Sequence, residues 1–159
     1  MNLPYRKSTR LSNYDYSSVN YYFVTVCTDE KRCLFFTDGQ INAIGKIVEE
    51  CLLQIPQHFA GVRLDKYIVM PNHIHAILVT DEENNYELPT IVGQFKSSAT
   101  KRIHEIIPHQ KIWQRSFHDH VIRNQQGYEK IWGYIHTNLL NWNKDCFFPV
   151  EEGHAPPET

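Results

Sequence analysis

The apolar positions of the chain change period several times, and each change marks an element. YYFVTVCT (21–28) is a dense run of β-branched and aromatic residues and reads as a strand. After Asp38-Gly39, a turn signal, QINAIGKIVEECLLQIP sets Ile41, Ile44, Ile47, Val48, Cys51 and Leu52 at helical spacing, with Pro56 near its end. VRLDKYIVM (62–70) and HIHAILVT (73–80) are two further strands. Pro71-Asn72 joins them tightly, so 62–80 reads as a hairpin. DEENNYE is an exposed loop, and Pro89 then opens a helix of about residues 90–106, as suits proline in a first turn. Its apolar stripe is thinner: Ile91, Phe95, Ser98, Ala99 and Ile103. IWQRSFHDHVIRN (112–124) mixes aromatic and alternating residues and reads as a fourth strand, with room for a bulge. Tyr128 to Trp142 forms a last helix. The tail from about 144 to 159 has three prolines and several acids, and reads as irregular.

The order is strand, helix, strand, strand, helix, strand, helix. The first six elements make a βαββαβ unit, so the expected class is α+β: a ferredoxin-like antiparallel sheet with helices on one face and one additional C-terminal helix. The 159 residues suit one domain, 1–159, with enough chain to bury a sizeable core.

Composition excludes several classes. The apolar runs are much shorter than the ~20 residues of a membrane span, so no membrane partner is expected. The polar opening MNLPYRKSTRLSNYDYSS lacks the apolar stretch of a signal peptide, which points to a cytoplasmic protein. Cys27, Cys33, Cys51 and Cys146 form no C-x-x-C pair, so they are read as reduced thiols rather than zinc ligands, with Cys27 and Cys51 in the core. The net charge is −2, but its distribution is uneven. Residues 91–132 carry Lys96, Lys101, Arg102, Lys111, Arg115, Arg123 and Lys130 against three acids, and Arg6, Lys7 and Arg10 lie near the start. Such a patch suits either phosphate binding or a solvated helix face.

The chemistry starts from YIVMPNHIHAILVT. His73 and His75 are two apart on a strand, so they project from the same side, while Ile74 turns the other way. Two imidazoles placed so can bind a divalent metal, or can be two buried histidines with ordinary hydrogen bonds. On the last helix Tyr134 and Asn138 are four apart and share a face, able to bring a hydroxyl and an amide oxygen to one point. Tyr134 can equally be an amphipathic core residue. Tyr128 is the rival hydroxyl, off that face and near the helix start.

These segments together resemble the HUH-type single-tyrosine transposases, and most of all the REP-associated tyrosine transposases. YIVMPNHIHAILV is similar to the family's strand pair VMPNHxH, IWQRSFHDHVIRN to its WQRxxxxHxIRN segment, and YIHTNLLNW to its YIxxNPxxW helix. The similarity runs from about residue 8 to 143. Leu139 departs from it, standing where the family usually has proline after the asparagine.

The resemblance implies cleavage and rejoining of single-stranded DNA, with an imperfect hairpin as the partner. It makes Tyr134 the nucleophile that forms a 5′-phosphotyrosine, and His73, His75 and Asn138 the holders of Mg2+ or Mn2+. A free tyrosine titrates near pH ~10, so the reaction needs activation of the attacking group or of the phosphate. His120 and Arg123 are expected to support the site, with His118 at the surface. Lys96, Lys101, Arg102 and Arg115, with Arg6, Lys7 and Arg10, are candidates for DNA backbone contacts, together with Tyr14 and Tyr16. Trp113 is either a platform for an unpaired base or a core residue. Two oligomeric states stay open: a homodimer that exchanges its tyrosine helices, or a monomer. The competing readings are a hairpin-binding protein that has lost the chemistry, and a metal hydrolase in which Tyr134 is structural.

Overall fold

The computed structural model describes residues 19–140 and 142. Strand β1 (Asn20–Cys27) is followed by a 3-10 turn at Asp29–Lys31 and a short ladder, β2 (Phe36–Thr37) with β3 (Gln40–Ile41). The Asp38-Gly39 turn between them has positive φ at both residues (53° and 78°), the two-residue hairpin geometry that glycine favours. Helix α1 (Ala43–Leu53) starts after Ile41, because the Asn42 side chain accepts from the Gly45 backbone N–H at 2.9 Å and caps it. Ile41, expected in the helical stripe, is therefore a strand residue paired with Phe36. The expected helix also breaks near its end. Pro56 sits in the first turn of a separate one, α2 (Ile55–His58).

Strands β4 (Val62–Met70) and β5 (His73–Thr80) form the expected hairpin, followed by α3 (Leu88–Ile103), β6 (His118–Ile122) and α4 (Gln125–Thr137). Asn124 caps α4 by accepting from Gly127 N–H at 2.7 Å, so the helix begins three residues before Tyr128. The fourth strand is shorter than the pattern over 112–124. Trp113 makes a single bridge to Thr28, residues 115 and 116 bend away, and regular pairing with β1 resumes at His118.

The four main strands are antiparallel in the order β4-β5-β1-β6. Side chains of Ile74, Ala76 and Leu78 on β5 join Val24 and Val26 of β1 under α1 and α3, where Val48, Leu52, Ile91, Phe95 and Ile103 complete the larger core. Ile77, Val79 and Ile122 face the other way and are covered by Ile135 of α4. Every residue of β5 is consequently buried, which is why the strand reads as an almost unbroken apolar run. Cys27 and Cys51 are buried free thiols. Among the described residues no helix is long and apolar enough to cross a membrane.

Gly61 enters β4 with φ +79°, and its carbonyl accepts from Asp81 N–H at 2.8 Å. A Cβ there would lie 2.4 Å from the Asn84 nitrogen and 2.8 Å from the Glu83 carbonyl carbon, both backbone atoms. Gly61→Ala is expected to destabilise the fold by more than about 1 kcal/mol. In urea unfolding followed by circular dichroism the midpoint should fall with the slope unchanged; an unmoved midpoint would contradict this packing of β4 against the 81–84 loop.

Candidate active site

The turn that precedes β5 is held from several directions. Asn72 O accepts from Thr28 N–H at 2.9 Å, and Pro71 O from Phe35 N–H at 3.1 Å. Asn72 Nδ2 donates to Lys31 O at 3.2 Å, so its Oδ1 is the atom turned to His73 Nδ1, 2.7 Å away. An amide oxygen only accepts. The His73 proton is thereby fixed on Nδ1, and Nε2 presents a lone pair.

His75 pairs across the ladder with Thr25, whose hydroxyl lies 2.8 Å from His75 Nδ1. The two Nε2 atoms of His73 and His75 converge to 3.1 Å. A hydroxyl can donate or accept, so Thr25 serves both tautomers of His75. In one, Nδ1 accepts from Thr25 and Nε2–H donates to His73. In the other, Nδ1–H donates to Thr25 and both Nε2 lone pairs point to the same place. The rings are 0% and 1% exposed, and Phe23 stacks on His75 at 5.2 Å.

Helix α4 closes the site. The Tyr134 hydroxyl is 3.4 Å from His75 Nε2, and its ring meets Phe23 edge-on at 6.2 Å. Two turns on, Trp142 stacks on His73 at 6.1 Å. Asn138 lies midway between these two contacts and caps the helix C-terminus. It is 2% exposed, and its Oδ1 is a buried acceptor with no hydrogen-bond partner. Such an orphan is costly unless a ligand satisfies it.

This set fits a divalent cation. Two nitrogens on adjacent corners of a shell with bonds of about 2.1 Å stand about 3.0 Å apart, close to the spacing here. Both rings have their Nδ1 on an oxygen partner, the arrangement that orients metal-binding histidines. Among the described residues no group of three His, Cys, Asp or Glu side chains is placed to hold a metal. A cation there could draw at most on the two imidazoles and an amide oxygen from the described residues, with water or substrate oxygens for the rest of its shell.

Tyr128 is placed differently from its rival. Its hydroxyl donates to Asp65 Oδ2 at 2.6 Å, and that bond, with burial and the carboxylate charge, pushes its pKa up to about 12. A bulge between Leu64 and Lys66 makes this contact possible, because Asp65 and Lys66 then both reach α4. Lys66 Nζ lies 4.0 Å from the Trp132 ring centroid and 3.3 Å from His136 Nδ1, and Trp132 stacks on His136 at 5.0 Å. These contacts, with Ile68, Ile131 and Ile135, dock the helix on the sheet.

The other sequence candidates are scattered. His120 is half-buried, meets Phe23 edge-on at 6.3 Å, and burial lowers its pKa. Arg123 is half-buried just after β6, and His118 is exposed. Of the two readings of Trp113, the structure shows core packing: it is 6% exposed, with Phe35 and Phe95 rings 5.5 and 5.6 Å away. Arg102 donates to Glu50 at 2.7 Å across α1 and α3. Lys96 donates to Gln114 O at 2.7 Å, and Lys101 and Arg115 are exposed. Arg6, Lys7, Arg10, Tyr14 and Tyr16 lie outside the described residues, as does the tail.

Sequence reasoning missed Thr25, Phe23 and Asn72 as positioning residues. Asn72 carried a signal, since a buried turn asparagine beside a histidine pair needs partners. Thr25 and Phe23 become neighbours of His75 and Tyr134 only through strand register and helix docking.

The sequence profile of the IS200-like transposases matches residues 15–138. An uncharacterised protein of Haemophilus influenzae is 31% identical over 168 residues, covering 91% of this chain and 93% of that protein. Among solved structures, a REP-associated tyrosine transposase bound to a REP hairpin is similar with a TM-score of 0.61 and 20% identity, over 83% of this chain and 74% of that one. A protein of Deinococcus radiodurans described as a candidate transposase gives a TM-score of 0.55 and 18% identity, over 80% and 95% of the two chains. At these identities the solved structures speak for the fold alone.

The Tyr128–Asp65 pair has a measurable pH signature. A raised folded pKa means that the contact stabilises the fold fully below the unfolded value of about 10, and that this is lost as pH climbs toward the folded value. Besides Tyr67, which burial and the Glu49 carboxylate also push up to about 12, absorbance titration should show Tyr128 ionising near pH 12. Asp65→Asn should bring Tyr128 back toward ordinary tyrosine and flatten the alkaline fall in stability; a titration curve unchanged by Asp65→Asn would remove the pair.

Proposed function

The chain belongs to the IS200-like transposase family, and from that membership and the site's geometry we propose that it cleaves and rejoins single-stranded hairpin DNA through a covalent 5′-phosphotyrosine at Tyr134. The observation that carries this reading is the hydroxyl of Tyr134 at 3.4 Å from His75, beside two converging imidazole nitrogens, with the buried, unpartnered Asn138 oxygen one turn further along the chain. A divalent cation, Mg2+ or Mn2+, held by His73, His75 and Asn138 would neutralise charge on the scissile phosphate and orient it.

The chain's own residues do the rest. Phe23 and Trp142 hold the imidazole planes, Asn72 fixes the His73 proton away from the centre, and Thr25 can accept from His75 Nδ1–H in the tautomer that leaves both Nε2 lone pairs free. In this reading Tyr134, held by the docking of α4 beside His75, attacks the phosphate. Its oxygen bonds to phosphorus, the bond to the 3′-oxygen breaks, and the phenol proton passes through solvent to that leaving oxygen. One phosphate ester replaces another, so a free 3′-OH can reverse the step without an outside energy source. Tyr128 is the poorer nucleophile, because its donor bond to Asp65 holds the proton on.

The test mixes the protein with a 3′-labelled library of DNA hairpins with single-stranded flanks in Mn2+. A denaturation-resistant adduct should form, vanish in Tyr134→Phe and with chelator, and persist in Tyr128→Phe. An adduct that survives Tyr134→Phe would move the nucleophile. Tight hairpin binding with no adduct would instead favour a DNA-binding protein without chemistry.

The tautomer argument is tested separately. Thr25→Val and Asn72→Ala should each weaken Mn2+ affinity by about 10- to 100-fold, read by calorimetry, with the fold intact by circular dichroism. Equal affinity in all three proteins would mean that the imidazoles need no positioning from these residues.

A further inference from the structure

The opposite face of the sheet carries a second feature that the catalytic reading does not use. A groove of about 460 Å³ runs between the C-terminal half of α3 and the segment leading to Gln114. Its walls include Lys96, Lys101 and Lys111, the hydroxyl residues Ser97 and Thr100, and Trp113, and no acidic residue lines it.

These cations are short of counter-charge. Lys96 is half-buried with its ammonium on two backbone carbonyls, Gln114 O at 2.7 Å and Ser116 O at 3.4 Å. Among the described residues neither Lys96 nor Lys101 lies within ion-pair distance of a carboxylate. Lys111 has one such neighbour, Asp29 Oδ1 at 3.6 Å, with its own side chain largely in solvent. Burial lowers the pKa of Lys96, and the nearby Lys111 charge adds to that. An anion between them would favour the charged form of both ammonium groups and so offset that shift. Trp113 adds a buried indole N–H with no acceptor to the same wall.

The position of the groove is informative as well. Thr28 bridges to Trp113 on one side and donates to Asn72 O on the other. Groove and histidine pair therefore lie toward the same end of β1 on opposite faces of the sheet, so a DNA strand leaving the histidine pair would round that end to reach the groove.

We propose that this groove binds a backbone phosphate of the DNA strand outside the cleavage point, with Lys96, Lys101 and Lys111 as its cationic walls. The inference rests on the strand-transfer reading for the identity of the strand. A free phosphate would satisfy the same chemistry, and the experiment separates the two.

The full chain and two charge-matched variants, Lys101→Gln/Lys111→Gln and Lys46→Gln/Arg63→Gln, are titrated with the fluorescent hairpin pool at several salt concentrations. Inorganic phosphate is titrated in parallel by 31P NMR. Lys46 and Arg63 are exposed and lie outside the groove. The groove variant is expected to bind DNA about 5- to 20-fold more weakly near 0.1 M salt, with a salt slope shallower by about 1. The control pair should stay within about 2-fold of the unsubstituted chain. Equal loss in both variants, or in neither, overturns the groove while leaving adduct formation at Tyr134 intact. Loss of inorganic phosphate binding with DNA binding unchanged makes it a free-anion site and overturns the proposal. A chain that binds no DNA at all overturns this inference and the strand-transfer reading together.

Discussion

Strand β5 is covered on both faces, by α1 and α3 on one side and α4 on the other, and that burial constrains everything around it. A polar side chain in such a strand is costly unless each of its polar atoms finds a partner. His73 and His75 meet the requirement on their outer nitrogens with Asn72 and Thr25, while their inner nitrogens face each other, with the Tyr134 hydroxyl 3.4 Å from that of His75. The inner contact is the chemically open one. Two neutral imidazoles facing at 3.1 Å can share one proton or one cation, and the surroundings leave little else for them to do.

Helix α4 turns that pair into a site. It brings Tyr134 to His75, the chain just past its end brings Trp142 onto His73, and the helix is set by contacts made well away from them. The β4 bulge supplies these contacts by presenting Asp65 and Lys66 in succession to Tyr128 and to the Trp132–His136 stack. Bulges next to functional sites commonly re-aim side chains in this way. The bulge acts twice here: it anchors the helix that carries Tyr134, and it ties up the Tyr128 hydroxyl.

Much of this was legible in the chain. The period-two strands, the Pro71-Asn72 hairpin and the apolar stripe of α3 each follow from local chemistry, and each appears within a few residues of its expected place. The boundaries that moved did so for capping reasons. Asn42 and Asn124 accept from backbone N–H groups three residues on, and those bonds, rather than the apolar stripe, start α1 and α4. The 112–124 segment lost its regular middle because Trp113 is drawn into the core between Phe35 and Phe95. A pattern of alternating residues cannot show whether its aromatic ring is drawn inward or left to solvent.

The sequence by itself determined the α+β unit, the shared direction of His73 and His75, and the common face of Tyr134 and Asn138, because strand and helix periods are local properties of the backbone. The tertiary structure decided which tyrosine meets the histidines, which residues face their outer nitrogens, and which cations stand away from carboxylates among the described residues. Those are distances between segments 50 to 70 residues apart, such as Thr25 to His75 and Lys66 to His136. They arise only when register, bulge and helix docking are fixed together by burial of the two cores.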